Sequence, residues 1–137
     1  MAVVTDAADS TDIHPRNKVA PGERLAAWAL AKQYGKKIVY SGPLYKSMKV
    51  NGREITLDFA FAEGGLQTPG NEPVKGFFIA GNDARFYPAD AVINGSSITL
   101  SSTYVSAPVA VRYGYGTFFR VNLFNKAGLP AVPFRTD

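Results

Sequence analysis

The chain has 137 residues, 46% of them hydrophobic and 19% charged, with 13 Gly and 9 Pro, which is the balance of one globular domain rather than a disordered, collagenous or coiled chain. It has no Cys and a single histidine, His14, so disulfides, thiolate nucleophiles, zinc–thiolate cages and multi-histidine metal sites are excluded, and any imidazole chemistry passes through one residue. The net charge of +4 is mild, and the basic residues are scattered without an arginine-rich stripe or an interleaved aromatic string, so nucleic acid is not an expected partner; with one His, no Cys and no phosphate loop, no resident metal or cofactor is expected either.

No apolar run approaches the roughly 20 residues that span a bilayer, so no membrane partner is expected. Residues 1–6 lack the basic and apolar regions of a signal peptide. The opening Met-Ala-Val-Val-Thr reads at once as a strand with no lead-in, which makes Met1 an expected internal residue of a longer protein.

In chain order, residues 2–5 read as a short buried strand and residues 6–18 as a polar loop containing Pro15. A helix follows: Pro21 suits its first turn, Glu23 lies near the positive end of its dipole, and Gly35 terminates it beyond Tyr34. Leu25, Trp28 and Ala29 form the expected packed stripe with Trp28 as a core anchor, while Arg24 and Lys32 point to solvent.

Beyond Gly35 the pattern changes to short strands. Residues 37–40 lead in, and 46–50 and 53–59 flank Asn51-Gly52, a dipeptide that favours a type I′ hairpin turn. Ile55, Leu57 and Phe59 alternate with Glu54, Thr56 and Asp58, which gives one buried and one wetted face. A second hairpin spans 91–101 and turns at Asn94-Gly95. Residues 77–80, 85–87, 109–113 and 117–123 supply further strands, and 63–73 reads as a Gly/Pro/Asn loop with the composition of a mobile segment. The expected fold is mostly β with one helix: residues 37–137 form an antiparallel β-sandwich, and residues 1–36 are a strand, loop and helix of different character.

The segment Asp9-Ser10-Thr11-Asp12-Ile13-His14-Pro15 concentrates the chemistry. Pro15 pushes His14 toward extended geometry, and in an extended segment Asp12 and His14 project to the same side. A carboxylate beside an imidazole holds one ring nitrogen protonated and leaves the other to accept a serine proton, although a loop histidine paired with a neighbouring acid is the plainer reading. Ser10 is rejected as the nucleophile because it stands only four residues before His14, and no G-x-S-x-G elbow or phosphate loop occurs.

The string Asp12-Ile13-His14-Pro15-Arg16-Asn17-Lys18, the helix with Arg24-Leu25-Ala26 and Trp28-Ala29-Leu30, and Tyr40-Ser41-Gly42-Pro43-Leu44-Tyr45 resemble the C-terminal part of sialate O-acetylesterases of the SGNH hydrolase group. Further matching strings are Gly76-Phe77-Phe78-Ile79-Ala80-Gly81, Phe86-Tyr87-Pro88-Ala89, Pro108-Val109-Ala110-Val111-Arg112-Tyr113 and Pro133-Phe134-Arg135-Thr136-Asp137. Asn122-Leu123-Phe124-Asn125-Lys126-Ala127-Gly128-Leu129-Pro130-Ala131 belongs to the same series.

The resemblance implies that His14 is the general base and Asp12 its orienting acid. It further implies that the serine and the oxyanion-hole residues lie on an upstream catalytic segment of the same protein. Residues 1–36 are then the end of the α/β catalytic domain, and the chain alone is inactive. The wider group spaces its Asp three residues before the His, where this sequence has Thr11. The implied substrate is 9-O-acetylated sialic acid or a related acetylated sugar such as acetyl-xylan, and the implied setting of the parent protein is periplasmic or secreted. Arg16 and Lys18 are near enough to meet a sugar carboxylate, but a solvated-loop role suits them better. A second reading is a non-catalytic accessory sandwich that supports an upstream domain or binds glycans by stacking sugar rings on Tyr40, Tyr45, Tyr113 or Tyr115.

Overall fold

The computed structural model describes residues 1–7, 12, 14, 16–116 and 120–137. Among these residues one α-helix, α1 (Val19–Lys32), precedes ten short strands. The first antiparallel sheet has the order β1-β2-β7-β6, built from β1 (Leu44–Asn51), β2 (Glu54–Ala60), β6 (Asp90–Asn94) and β7 (Ser97–Ser101). The second, ordered β10-β8-β4-β5, uses β4 (Phe77–Ala80), β5 (Phe86–Pro88), β8 (Ala110–Tyr113) and β10 (Phe134–Arg135). A two-stranded ribbon of β3 (Leu66–Gln67) and β9 (Phe124–Asn125) completes the set.

The alternation in β2 decides which face is dry. Ile55, Leu57 and Phe59 are buried while Glu54 and Asp58 are exposed, and the register sets Ile55 against Leu100 and Leu57 against Ile98. In the facing sheet Ile79 pairs with Val111 and Phe77 with Tyr113. These residues, with Leu66, Leu123 and Ala131, form one core, so the chain is an antiparallel β-sandwich as the strand pattern predicts. The crossing from one sheet to the other is abrupt: Pro88 ends β5, and two residues later Asp90 opens β6.

Both hairpins form, each one residue out of the expected register. Asn51 pairs with Glu54 and Asn94 with Ser97, so the two-residue loops are Gly52-Arg53 and Gly95-Ser96. Positive φ occurs at Gly52 (61°) and Gly95 (62°) but not at the residue that follows, which excludes type I′ and matches type II′, where glycine takes the first central position. Each Asn closes its ladder instead of turning the chain.

Other expectations need correction. Residues 2–5 are not a strand; none of the described strands pairs with them, and Val4 is exposed. Residues 37–40 are irregular, and within 117–123 the described residues 120–123 are not a strand, 117–119 lying outside the described residues. Segment 63–73 is more than a loop: it contains β3, the buried side chains of Leu66 and Thr68, and a 3-10 turn at Pro69–Asn71. A two-residue strand has no periodicity for a sequence pattern to display.

The helix begins two residues before Pro21, which leaves Glu23 beyond its first turn; Asn17 Oδ1 accepts the Ala20 N–H at 3.2 Å and serves as the local cap. It ends as expected: Gly35 adopts φ 64°, and the Lys36 N–H returns to the Leu30 carbonyl. The expected stripe is wrong. Leu25 and Ala29 are exposed, and the partly covered positions are Ala20, Pro21, Arg24, Ala27, Trp28 and Ala31, which recur at helical spacing around Arg24 and Trp28.

Candidate functional site

Asp12 is half-buried and His14 exposed, and the structure brings them together through the backbone: Asp12 Oδ1 accepts the His14 N–H at 2.7 Å. This closure of an Asp side chain on the amide two residues on fixes the local bend and holds the carboxylate beside the imidazole-bearing residue. Ser10 and Thr11 lie outside the described residues. Arg16 and Lys18 are exposed, Lys18 occupying the position before α1. Among the described residues no group of three His, Cys, Asp or Glu gathers as a metal cradle. No helix among them is long and apolar enough to cross a membrane.

The loop that carries this pair is anchored by side chains on either side of it. Arg24, expected in solvent, turns inward: Nη1 donates to the Val3 carbonyl at 2.7 Å and to Asp6 Oδ1 at 2.6 Å, and Nη2 donates to Asp6 Oδ2 at 2.7 Å. A bidentate guanidinium–carboxylate pair fixes both partners in orientation. It therefore staples the chain just before the loop to the helix just after it.

The helix is in turn attached to the sandwich by an aromatic series. Trp28 meets Tyr40 edge to face at 4.7 Å between ring centres, and Tyr40 meets Phe61 at 5.2 Å in the same manner. Lys32, also expected in solvent, is exposed but sets its Nζ 4.9 Å from the centre of the Tyr40 ring.

Asn125 secures the far end of the series. Its side-chain amide donates to the Ser41 and Phe61 carbonyls, each at 3.0 Å, and its Oδ1 accepts the Leu129 N–H at 3.0 Å. Gly42 beside it approaches Pro130 so closely that a Cβ there would lie 1.9 Å from the Pro130 oxygen. Through Asn125, Tyr40, Trp28 and Arg24, the sandwich is thus linked by way of α1 to Val3 and Asp6, which precede Asp12 and His14 in the chain.

Sequence reading missed both Arg24 and Asn125. For Arg24 a signal existed, because it stands four residues before Trp28 on the same helical row; for Asn125, bonded to residues 84 and 64 positions earlier, none did. The tyrosines proposed as sugar platforms also divide. Tyr113 is fully buried, and its hydroxyl oxygen accepts the Leu123 N–H at 3.3 Å, so it is no platform. Burial pushes its phenol pKa strongly up, partly offset by that hydrogen bond. Tyr40 is held between two rings, and Tyr45 stacks on Phe134 at 4.7 Å. Tyr115 remains exposed, with the Arg112 and Arg135 guanidinium groups within about 5 Å of its ring centre.

Comparison with family models found no match. Comparison with curated proteins also found none. Among solved structures, the chain is similar to a carbohydrate acetylesterase from Xanthomonas citri, with 45% identity and a TM-score of 0.93 over 99% of this chain. The chain spans 32% of that protein's length.

Proposed function

We propose that this chain carries the histidine–aspartate half of the catalytic site of a serine carbohydrate acetylesterase. The observation that carries the reading is the likeness, over nearly every residue, to one third of an acetylesterase. Asp12, which accepts the His14 backbone N–H, and the imidazole next to it are the residues this reading assigns to the chemistry.

In this reading a serine on chain outside these 137 residues attacks the acetyl carbonyl, and the His14 imidazole takes the serine proton as the new C–O bond forms. His14 then returns the proton to the sugar oxygen as the bond between that oxygen and the acetyl carbon breaks. Water, deprotonated by the same imidazole, adds to the acyl-enzyme carbonyl, and the proton passes to the serine oxygen as its bond to the acetyl carbon breaks, which frees acetate and restores the serine. Asp12 orients and stabilises the imidazolium. The substrate class is an O-acetylated sugar, with 9-O-acetylated sialic acid as the specific proposal and acetyl-xylan as its competitor.

Residues 1–36 are proposed as the end of the catalytic domain and 37–137 as the sandwich that supports it. Support comes from the helix, which has no buried residue and leaves Val19, Leu25 and Leu30 exposed for a further packing partner.

Acetate release tests the reading, measured for the 137-residue chain, for the longer polypeptide that contains it, and for that polypeptide with His14→Ala. The expected result is an inactive chain, an active long form and a loss of at least about a hundredfold without the imidazole. Full activity in His14→Ala overturns the assignment. Asp12→Asn in the long form is expected to lose activity by a smaller factor. Comparing 9-O-acetylated sialic acid with acetyl-xylan as substrates decides the sugar.

A further inference from the structure

Two turns at one edge of the sandwich enclose an open groove of about 330 Å3, at the small end of the range for small-molecule sites. One turn runs from Gly81 to Arg85 and the other from Ser102 to Ala107. Both are pinned. The Ala84 N–H bonds the Gly81 carbonyl at 3.1 Å, and the Val105 N–H bonds the Ser102 carbonyl at 3.3 Å, with the Val105 side chain buried in the core. Gly81 lies close under the second turn, since a Cβ there would come within 3.3 Å of the Ala107 oxygen. Ala84 is held at φ 55°, a left-handed conformation that alanine adopts at a cost and keeps only where its surroundings impose it.

On this fixed frame Tyr104 is 74% exposed, more than any other aromatic residue among the described residues. Its ring stacks on Tyr87 with centres 5.5 Å apart and planes 20° from parallel, and both rings line the groove. One face of Tyr104 is thereby supported and the other left open. A large apolar ring kept in water by a buried neighbouring anchor is otherwise unfavourable, because turning inward would remove it from solvent.

Asn82, Asp83 and Ser106 share the groove, and Asp83 Oδ1 accepts the Arg85 N–H at 3.2 Å, which holds the carboxylate in place. Asp83 Oδ2 and the Asn82 amide have no other partner among the described residues and are free to take hydroxyl groups.

We propose that this groove is a binding subsite for a neutral sugar ring, with Tyr104 on Tyr87 as the stacking platform and Asn82 and Asp83 as the hydroxyl partners. A pyranose offers a face of C–H bonds, which suits the electron-rich face of a tyrosine, and a rim of hydroxyls, which suits paired amide and carboxylate groups. The groove lining includes one carboxylate and no cationic side chain, so an anionic sugar is disfavoured there. The proposal concerns the sandwich alone and does not depend on the esterase reading.

The test is a titration of the full 137-residue chain with xylotetraose, followed by amide chemical shifts in NMR, with N-acetylneuraminic acid as the anionic comparison. Saturable shifts are expected at residues 81–85 and 103–107 with millimolar or tighter affinity for xylotetraose, and weaker binding of N-acetylneuraminic acid. Tyr104→Ala should weaken binding at least about tenfold with a well-dispersed spectrum, because the side chain supports no core contact, whereas Tyr104→Phe should retain it. Absence of shifts at millimolar sugar, shifts centred elsewhere, or unchanged affinity in Tyr104→Ala overturns the subsite. Tighter binding of N-acetylneuraminic acid overturns its neutral-sugar assignment.

Discussion

The sandwich and the N-terminal 36 residues are held by different physics. In the sandwich Ile55, Leu57, Ile79, Ile98, Leu100 and Val111 are entirely withdrawn from water, and the two sheets close on them from both sides. In the N-terminal region α1 buries no residue, and it is held by the Arg24–Asp6 staple and by the meeting of Trp28 and Lys32 with Tyr40. Non-directional area burial gives the first region its stability, while a few oriented contacts give the second its geometry. Asp12 and His14 belong to the second region, where oriented contacts outnumber buried side chains.

The largest expected effect tests the sandwich side of this contrast. Leu57→Ala, at a fully buried position paired with Ile98, should lower unfolding free energy by about 2–5 kcal/mol. Leu25→Ala, at a helix position 61% exposed, should change it by no more than about 0.5 kcal/mol. Urea titrations of the two variants measure both values. Comparable losses would show that the helix leucine contributes to the same cooperative core, and the contrast would fail.

A smaller effect distinguishes polar from apolar contributions inside the core. Tyr113→Phe removes the acceptor for the buried Leu123 N–H and should cost about 1–2 kcal/mol at neutral pH. The same substitution carries a pH signature. Burial raises the folded-state phenol above its ordinary range, so the stability it contributes is present in full below pH about 10 and is lost as pH rises through the folded-state value. The wild-type chain should therefore lose stability more steeply than Tyr113→Phe above pH about 10, and parallel curves in thermal melts would show that Tyr113 is not protected from ionisation.

The two regions also differed in legibility. Within the sandwich, strict alternation over 54–59 carried its own proof, because a one-residue slip would turn Ile55, Leu57 and Phe59 outward. The hairpin loops lie one residue from where Asn-Gly suggests because that dipeptide suits two turn registers, and only the pairing of Asn51 with Glu54 in three dimensions decides between them. The ribbon of β3 and β9 joins Leu66 to Asn125, a pairing that no local pattern announces. In the N-terminal region the helix and its Gly35 terminator were readable, but its inward face was not. Hydrophobicity selects Leu25 over Arg24, whereas the structure turns Arg24 inward toward a carboxylate 18 positions away. His14 and Asp12 were legible as a motif, and the contacts that position their loop were not.

An effect on global stability as small as that of Leu25→Ala, and the sharpest test of the contrast, comes from Arg24→Ala. The guanidinium makes three hydrogen bonds to Val3 and Asp6, and removing it frees the chain before the His14 loop from the helix after it. Because none of these groups belongs to the sandwich core, the urea midpoint of the sandwich should move little, by no more than about 0.5 kcal/mol in free energy. Local protection should respond instead. Amide exchange at Ala7, whose N–H bonds the Val4 carbonyl at 3.0 Å, and at His14 should accelerate by about tenfold or more, while Leu57 and Ile98 keep wild-type rates. Arg24→Lys retains the charge but not the fork and should recover only part of that protection. Equal acceleration at Leu57 would mean that the loop and the sandwich open as one unit, and the staple would then be a contributor to overall stability rather than a positioning device for the site.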